Sequence, residues 1–284
     1  MGKNSSIEWT HHTFNPWWGC VRVSPGCKNC YADTWARRLG LRLWGRNMPR
    51  RFFSDSHWKE PLRWNYEAQR EGTRHRVFCA SMADVFEDRK DLDPWRLRLW
   101  ELIKQTPWLD WLLLTKRPQR IGSVVPWRDR WPSNVWLGTT AENQHWAEIR
   151  LPALLQHAAA VLFVSAEPLI GALDLHHFLS AKAHGRRLSW VIAGGESGAK
   201  ARPMNPQWAR DLRDQCKQAG VPFHFKQWGH WSPEFVSMES RMQRVTLTDA
   251  RGQPVTLVKV GKKASGRVLD GKIWDGLPRS NAVA

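Results

Sequence analysis

The sequence predicts an α/β protein built as a complete or partial β/α barrel with a C-terminal extension. Short apolar runs recur at intervals of roughly 25–35 residues, the length of one strand-plus-helix unit, and helical patterns lie between most of them. Because these runs are apolar throughout, they are typical of a parallel sheet that is covered by helices. About seven such units fit a barrel, and an open doubly wound sheet is the alternative.

The first strand is predicted at Ile7–Thr10. Six further apolar runs are predicted as strands: Val77–Ala80, Trp111–Leu114, Val135–Leu137, Val161–Val164, Trp190–Ala193 and Val221–Phe225. The helix from Asp93 and the helix at Asn205–Ala219 each begin with a cap residue followed by proline, which suits a first helical turn. Gly220 is expected to end the second of these helices. Another helix is predicted at Gln144–His157.

The predicted domain organisation is a barrel over residues 1–231 and an extension over residues 232–284. Residues 41–76 are rich in arginine and are predicted to be a basic insertion with some helix. In the extension, Val245–Val260 has the pattern of a β-hairpin that turns near Arg251-Gly252. We expect the extension to lie on or near the mouth of the barrel.

The chain of 284 residues carries 43 Lys and Arg against 26 Asp and Glu, so its formal net charge is +17. This surplus favours polyanions, and we expect a nucleic acid as partner. Several of the 20 Trp residues alternate with Arg, a pattern suited either to core packing or to base stacking. No apolar run approaches the roughly 20 residues of a membrane helix, and no signal peptide is recognisable, so a cytoplasmic protein is expected.

Three of the five cysteines, Cys20, Cys27 and Cys30, are spaced C-x6-C-x2-C. Clustered thiolates select zinc, copper(I) or iron–sulfur clusters, and the turn at Ser24–Gly26 can bring the sulfurs together. A closed structural site usually takes four ligands, whereas a [4Fe–4S] cluster held by three cysteines leaves one iron open to a small molecule. A disulfide, or a zinc site completed by a histidine or by Cys79, is the alternative.

Each of the six later apolar runs ends in a cluster of polar residues. These clusters are Ser81–Asp84, Thr115–Arg117, Thr139–Asn143, Ser165–Pro168, Gly194–Ser197 and Lys226–Gly229. The carboxyl ends of the strands carry the active site in β/α barrels, and the cysteines also follow a predicted strand. We therefore expect the cysteines and the polar clusters to meet at one face of the barrel.

Seven motifs resemble those of a phage- and prophage-associated family of three-cysteine, radical-SAM-like proteins of long-unassigned function. They are Ile7-Glu-Trp-Thr, Phe14-Asn-Pro-Trp-Trp-Gly-Cys, Ser24-Pro-Gly-Cys-Lys-Asn-Cys-Tyr-Ala, Ser165-Ala-Glu-Pro-Leu, Gly194-Gly-Glu-Ser-Gly, Phe225-Lys-Gln-Trp-Gly and Gly266-Arg-Val-Leu-Asp-Gly-Lys-Ile-Trp-Asp. The resemblance implies a barrel of the radical SAM type, with a [4Fe–4S] cluster on Cys20, Cys27 and Cys30 that binds S-adenosylmethionine (SAM). It also implies a kinship in type with spore photoproduct lyase, a radical SAM enzyme that works on DNA. For a phage-encoded chain, the expected location is the host cytoplasm.

The chain departs from the usual radical SAM pattern, in which the cysteines are spaced C-x3-C-x2-C and a Gly-Gly-Glu after the second strand binds SAM. Here Gly194-Gly195-Glu196 follows a late strand, so Ser81 and Asp84 fit SAM binding better by position. Glu142 and Asn143 are expected contacts for the ribose or the amino acid part of SAM. The full set of expected cofactor-binding residues is Tyr31, Ser81, Asp84, Thr115, Thr139, Glu142 and Asn143.

The leading hypothesis is reductive cleavage of SAM, with an electron from flavodoxin or ferredoxin, followed by hydrogen abstraction from a substrate over the barrel mouth. Glu167, Glu196 and Lys226 are the candidate catalytic residues, and ordinary ion pairs are the alternative for them. The candidate substrate or nucleic-acid contacts are Lys116, Arg117, Arg202, Gln227 and Trp228.

The specific candidate reaction is a step in building a thymidine side chain of phage DNA. A base in duplex DNA has to leave the stack to reach a recessed radical. The rival hypothesis is a zinc-stabilised nucleic-acid-binding protein without catalysis.

Overall fold

The computed structural model of the chain describes residues 3–5, 7–180, 185–233, 242–248 and 252–279. At its centre is a curled sheet of seven parallel strands in sequence order, which forms a half-barrel with β1 and β7 at its edges. The strands are β1 (His12–Thr13), β2 (His75–Cys79), β3 (Leu109–Thr115), β4 (Val135–Thr140), β5 (Val161–Ala166), β6 (Trp190–Gly194) and β7 (Phe223–Gln227). The predicted β/α barrel is therefore confirmed in its partial form.

The helices of the half-barrel lie on its convex face or at its rim. They are α1 (Tyr31–Arg38), α2 (Asp55–Glu71), α3 (Asp93–Gln105), α4 (Ile121–Val124), α5 (Gln144–Leu154) and α6 (Pro206–Ala219). The α2 helix lies within the 41–76 stretch and contacts β2, β3 and α3. This basic stretch therefore supplies the longer of the two helices between the first two strands.

The strands bury both of their faces. Val77 and Leu113 belong to the large core that the sheet forms with the helices, whereas Phe78 and Leu112 belong to a second apolar cluster. Because alternate residues of a strand point to opposite faces, the second cluster lies on the concave face of the sheet. This second cluster gives the inside of the half-barrel an apolar floor.

The first strand lies later in the chain than predicted. Ile7–Thr10 forms a turn, which a hydrogen bond of 3.1 Å closes between its two ends, and β1 follows it. The turn buries Trp9 on the concave face, where its ring meets Phe78 edge-on at 4.7 Å between ring centroids. Burial of this large aromatic ring stabilises the turn relative to the short strand that the local pattern predicted.

The ends of two predicted elements bear on the site. The α6 helix has both of its expected signals: Asn205 Oδ1 accepts a hydrogen bond of 3.0 Å from Gln207 N, and Gly220 ends the helix with φ of +62°. The β7 strand runs further than predicted, so Lys226 and Gln227 are its last residues.

The described residues after the half-barrel contain five short strands and one short helix. They are β8 (Trp231–Ser232), β9 (Arg244–Thr248), β10 (Pro254–Lys259), α7 (Lys262–Ser265), β11 (Val268–Leu269) and β12 (Lys272–Ile273), of which the first three form an antiparallel sheet in the order β8–β10–β9. The β9 and β10 strands are those of the predicted hairpin, and its predicted turn at Arg251 lies outside the described residues. The domain boundary at residue 231 stays a prediction.

The end of the described chain runs along β7. Phe225 N donates a hydrogen bond to Trp274 O, and Gly276 N donates one to Phe223 O, both at 2.9 Å. A Cβ on Gly276 would stand 2.6 Å from Phe223 O, so this approach needs glycine. The contact covers part of an edge that would otherwise expose its backbone. In the described part of the chain, no helix has the length and apolarity to cross a bilayer.

Candidate active site

A cavity of about 660 Å³ opens inside the curl of the sheet, at the carboxyl ends of the strands. The wall includes a residue of five strands (Thr13, Thr115, Thr140, Ser165 and Lys226) and the residues that directly follow the other two, Ala80 after β2 and Gly195 after β6. Its volume lies within the range of cofactor and small-molecule sites, roughly 300–1,000 Å³. The sequence-predicted residues that line it are Cys20, Cys27, Cys30, Tyr31, Ser81, Asp84, Thr115, Lys116, Arg117, Glu167, Glu196, Lys226 and Gln227.

Glu142, which follows β4, anchors the cysteine loop (residues 20–30). Its carboxylate accepts a hydrogen bond of 3.1 Å from Gly26 N and is paired with Arg150 at 2.8 Å, and both side chains of the ion pair are fully buried. Burial opposes ionisation, but Arg150 and the hydrogen bonds outweigh it and hold the pKa of Glu142 below its usual range. A Cβ on Gly26 would stand 3.0 Å from the Glu142 carboxyl carbon, so glycine allows this close approach. Glu142 thus supports the loop and does not line the cavity.

Glu196 and Arg202 hold the same loop from the side of β6. The Glu196 carboxylate accepts hydrogen bonds from Arg202 Nε at 2.8 Å and from Asn29 Nδ2 at 2.9 Å. Arg202 Nη2 also donates to Pro25 O at 3.1 Å. Burial would raise the pKa of Glu196, but the bonds from Arg202 and Asn29 lower it. This ion pair therefore joins a strand end to the cysteine loop across about 170 residues of sequence.

The Gly194-Gly195 pair brings Glu196 to that position. A Cβ at Gly195 would stand 1.9 Å from Trp228 O, so the backbones after β6 and β7 can touch only where a side chain is absent. Gly195 N donates to Gln227 O at 2.9 Å across this contact. Gly195 therefore serves backbone packing next to the cavity.

Asp84 orients Arg117 beside Cys20. The buried carboxylate accepts hydrogen bonds from Thr115 Oγ1 and Arg117 Nη1, both at 2.7 Å, and from Lys116 N at 3.1 Å. Burial opposes its charge, but Arg117 and these donors lower the pKa of Asp84. Arg117 Nη1 lies 3.8 Å from Cys20 Sγ. Asp84 thus acts on the cysteine loop through a neighbouring cation.

Glu167 and Lys226 form an ion pair on the wall made by β5 and β7. Lys226 Nζ lies 2.7 Å and 2.9 Å from the two carboxylate oxygens, and Gln227 Nε2 lies 3.3 Å from one of them. The Lys226 side chain is 13% exposed and the Glu167 side chain is 19% exposed, so both groups remain accessible from the cavity. Lys116 adds a second cation, with Nζ 3.3 Å from Thr140 Oγ1.

Tyr31 and Ser81 lie at the rim, where α1 meets the end of β2. Tyr31 donates its hydroxyl hydrogen to Ser81 O at 2.7 Å. Asn15, which sequence reasoning missed, shapes this rim, because its Oδ1 accepts from Met82 N at 2.7 Å and its Nδ2 donates to Ser81 Oγ at 3.1 Å. Its position at the start of the Asn-Pro-Trp-Trp-Gly-Cys motif was the available signal.

Besides Glu142 and Arg202, which hold the cysteine loop, three further sequence-predicted residues lie outside the cavity lining. Thr139 is buried and donates to Thr115 O at 2.9 Å, while the adjacent Thr140 faces the cavity. Asn143 caps α5 by accepting from Trp146 N, and Trp228 is buried with its Nε1 donating to Val268 O at 2.7 Å. In this structure Thr139 and Trp228 thus pack in the interior and Asn143 caps a helix, and the SAM contacts and base stacking expected of them stay predictions.

The donor set of the cysteine loop fits a [4Fe–4S] cluster by its chemistry. Three thiols face one cavity that has free volume beside them, and iron–sulfur clusters are bound by thiolates of this kind. Within the described ranges, no group of three His, Cys, Asp or Glu side chains is arranged around a single ion. Burial raises the pKa of the Cys20 thiol to about 12, so a metal that binds there has to displace a proton.

The solved structures similar to this chain include three variants of spore photoproduct lyase. A Cys-to-Ser variant has a TM-score of 0.50 at 14% identity, over 93% of this chain and 72% of that one. A Tyr-to-Phe variant has a TM-score of 0.48 at 13% identity, over 93% and 74%. A third variant, with bound AdoMet and dinucleoside spore photoproduct, has a TM-score of 0.46 at 12% identity, over 93% and 74%. At such identities the likeness concerns the fold alone.

The search of curated proteins gives no match. A family model described as "Protein of unknown function (DUF5131)" matches residues 4–278, and the chain therefore belongs to the DUF5131 family.

Proposed function

We propose that this chain is a radical SAM enzyme that holds a [4Fe–4S] cluster on Cys20, Cys27 and Cys30 and modifies a nucleic acid. The observation that carries the proposal is the position of the three thiols, which line one cavity at the carboxyl ends of seven parallel strands. This end of a β/α barrel is where active sites lie. The family motifs and the fold likeness to spore photoproduct lyase support the same function.

The residues around the cysteine loop have a positioning role in this mechanism. When bound, the cluster and SAM supply reductive cleavage and hydrogen-atom abstraction. Glu142 and Glu196 fix the loop, and Asp84 fixes Arg117 beside Cys20. Misplacement of reacting atoms by about 1 Å can cost on the order of a hundredfold in rate, so a rigid loop is part of the catalytic apparatus.

The remaining wall residues bind and orient the ligands. Ser81 and Thr115 offer hydroxyl groups for SAM, while Trp9 and Phe78 form an apolar floor of the cavity that excludes water. Lys226 can exchange its bond to Glu167 for a substrate phosphate or carbonyl oxygen. The released Glu167 carboxylate then accepts a hydrogen bond or a proton from the substrate.

The proposed substrate is a base of a nucleic acid, with DNA favoured over RNA. The net charge of +17 and the cations Lys116 and Lys226 in the cavity support a polyanionic substrate. A nucleobase that enters the cavity has to leave its stack in the nucleic acid. Contacts with the apolar floor of the cavity offset the cost of that unstacking. The specific candidate is a side-chain step on thymidine in phage DNA, with flavodoxin or ferredoxin as the electron donor.

Metal analysis after anaerobic reconstitution tests the cofactor assignment. We expect about four iron atoms per chain, equal sulfide and a brown colour in the wild type. Cys20→Ala, Cys27→Ala and Cys30→Ala should each lose the cluster. Cys79→Ala and Cys216→Ala are matched controls, because both thiols are buried in the core, and they should keep it. A colourless protein with one zinc per chain would instead support the zinc-stabilised binding protein.

A further inference from the structure

We propose that the exposed side of α1, together with the cysteine loop, is the docking surface for one strand of the nucleic acid. This α1 surface consists of Tyr31, Trp35 and Arg38 on the helix and of Arg22 and Lys28 on the loop. The inference rests on the proposed function, because it places the strand so that one of its bases can enter the cavity. Tyr31 and Arg22 also line the cavity, so the surface is continuous with the cavity wall, whereas Trp35 and Arg38 lie outside it.

Large apolar side chains of α1 face solvent. The helix buries its two alanines, whereas Tyr31 is 54% exposed, Trp35 is 46% exposed and Leu39 is 50% exposed. At 3.6 residues per turn, Tyr31, Trp35 and Arg38 share one side of the helix. Trp35 lies about 6 Å along the axis from Tyr31, on the order of two base-stacking steps of 3.4 Å. Two rings at this spacing suit bases of one strand.

The α1 surface is also positively charged. Residues 20–50 contain seven Lys and Arg and one acidic residue, Asp33; Arg50 is buried in an ion pair with Glu87, and the other six cations are exposed. Asp33 is buried and accepts hydrogen bonds of 2.7 Å from Arg22 and from Arg37, whose side chains remain 53% and 60% exposed. The single carboxylate is thus turned inward while its guanidinium partners stay at the surface. Such a surface attracts phosphates through counterion release.

Exposed rings among arginines favour a nucleic acid over an acidic protein as the occupant. Bases stack on an indole ring without regard to sequence, and neighbouring guanidinium groups hold the phosphates. Tyr31 links the α1 surface to the cavity, because its hydroxyl donates to Ser81 O at the rim. A strand that crosses the rim can therefore place one base in the cavity and stack the next on Trp35.

Fluorescence anisotropy with a labelled single-stranded oligonucleotide and the full-length chain tests the proposal. Trp35→Ala should weaken binding about tenfold, as loss of one base–aromatic stack typically does. Arg38→Ala should reduce the slope of log affinity against log salt by about one. The matched controls are Tyr66→Ala and Arg70→Ala on α2, where Tyr66 is 61% exposed and the Arg70 guanidinium lies 5.9 Å from its ring. Both controls should bind as the wild type does.

Two results would overturn the proposal. One is a Trp35→Ala protein that binds within twofold of the wild type, or an equal loss in the α2 controls. The other is unchanged oligonucleotide binding with slower reduction by reduced flavodoxin, which would assign the α1 surface to an acidic electron-transfer protein. Thermal unfolding of each variant verifies its fold. SAM cleavage measured without nucleic acid reports separately on the proposed function.

Discussion

Arg117 lies beside Cys20, with its Nη1 3.8 Å from the cysteine Sγ, and the same nitrogen is held at 2.7 Å by Asp84. Arg117 Nη2 also donates to Val21 O at 2.7 Å, so the guanidinium group is fixed on three sides. A fixed cation next to one thiolate favours the more negative state of a bound cluster. Hydrogen bonds and net charge near the sulfurs are among the features that set cluster potentials.

Arg117→Met should therefore make the midpoint potential of the reconstituted cluster more negative, on the order of tens of millivolts. Arg117→Lys keeps the charge and should give an intermediate value. A redox titration followed by electron paramagnetic resonance measures the shift. Arg98→Met is the control, because Arg98 pairs with Asp55 on the outer helices. Equal potentials in Arg117→Met and the wild type would contradict the proposed influence of Arg117 on the cluster.

Gly26→Ala should destabilise the cysteine loop. The added Cβ would meet the Glu142 carboxyl group at 3.0 Å, and Glu142 cannot easily move because it is buried and paired with Arg150. Overpacking of this kind typically costs about 1–3 kcal/mol. We expect a lower iron content and a lower midpoint of thermal unfolding. Gly122→Ala is the control, since its Cβ would make only an ordinary contact at 3.7 Å; equal losses in both variants would contradict this prediction.

Glu196→Gln should reduce stability at pH 7 by roughly 2 kcal/mol, as expected for a lost charge-assisted hydrogen bond. The folded-state pKa of Glu196 is lowered, so its stabilisation is present above the unfolded value of about 4.3 and is lost as pH falls through the folded value. The difference between variant and wild type should thus shrink towards acid pH. Urea unfolding at pH 7 and at about pH 3.5 measures it. A deficit that is the same at both pH values would refute this origin.

The control for Glu196 is a surface ion pair. Glu101→Gln removes an exposed partner of Lys104, with side chains 62% and 50% exposed, and should change stability by less than about 1 kcal/mol at either pH.

The parallel half-barrel and the meeting of the cysteine loop with the strand ends could be predicted because both follow from local patterns. Apolar runs at a regular interval predict the strands, and the strand polarity then places their polar ends on one face. The strand predicted at Ile7–Thr10 is a turn in the structure. Trp9 is buried there by contacts with Phe78 and Trp190, which are far away in sequence, so the local pattern could not show it.

The finer roles of the site residues depend on pairings that no sequence window contains. Glu142 was expected to contact SAM, but its partner Gly26 lies 116 residues earlier. Thr139 was expected at the site, yet Thr140 lines the cavity, because successive residues of a strand point to opposite faces. Trp228 looked suitable for stacking by type, yet its position after β7 points it into the core.

The most direct test of the central claim is the formation of 5′-deoxyadenosine. The reconstituted full-length protein is incubated anaerobically with SAM and a strong reductant, and the products are separated by chromatography. We predict 5′-deoxyadenosine and methionine from the wild type and from Cys216→Ala, and neither product from Cys20→Ala, Cys27→Ala or Cys30→Ala. A wild-type protein that carries a full cluster and forms neither product, with or without nucleic acid, would contradict the radical SAM assignment.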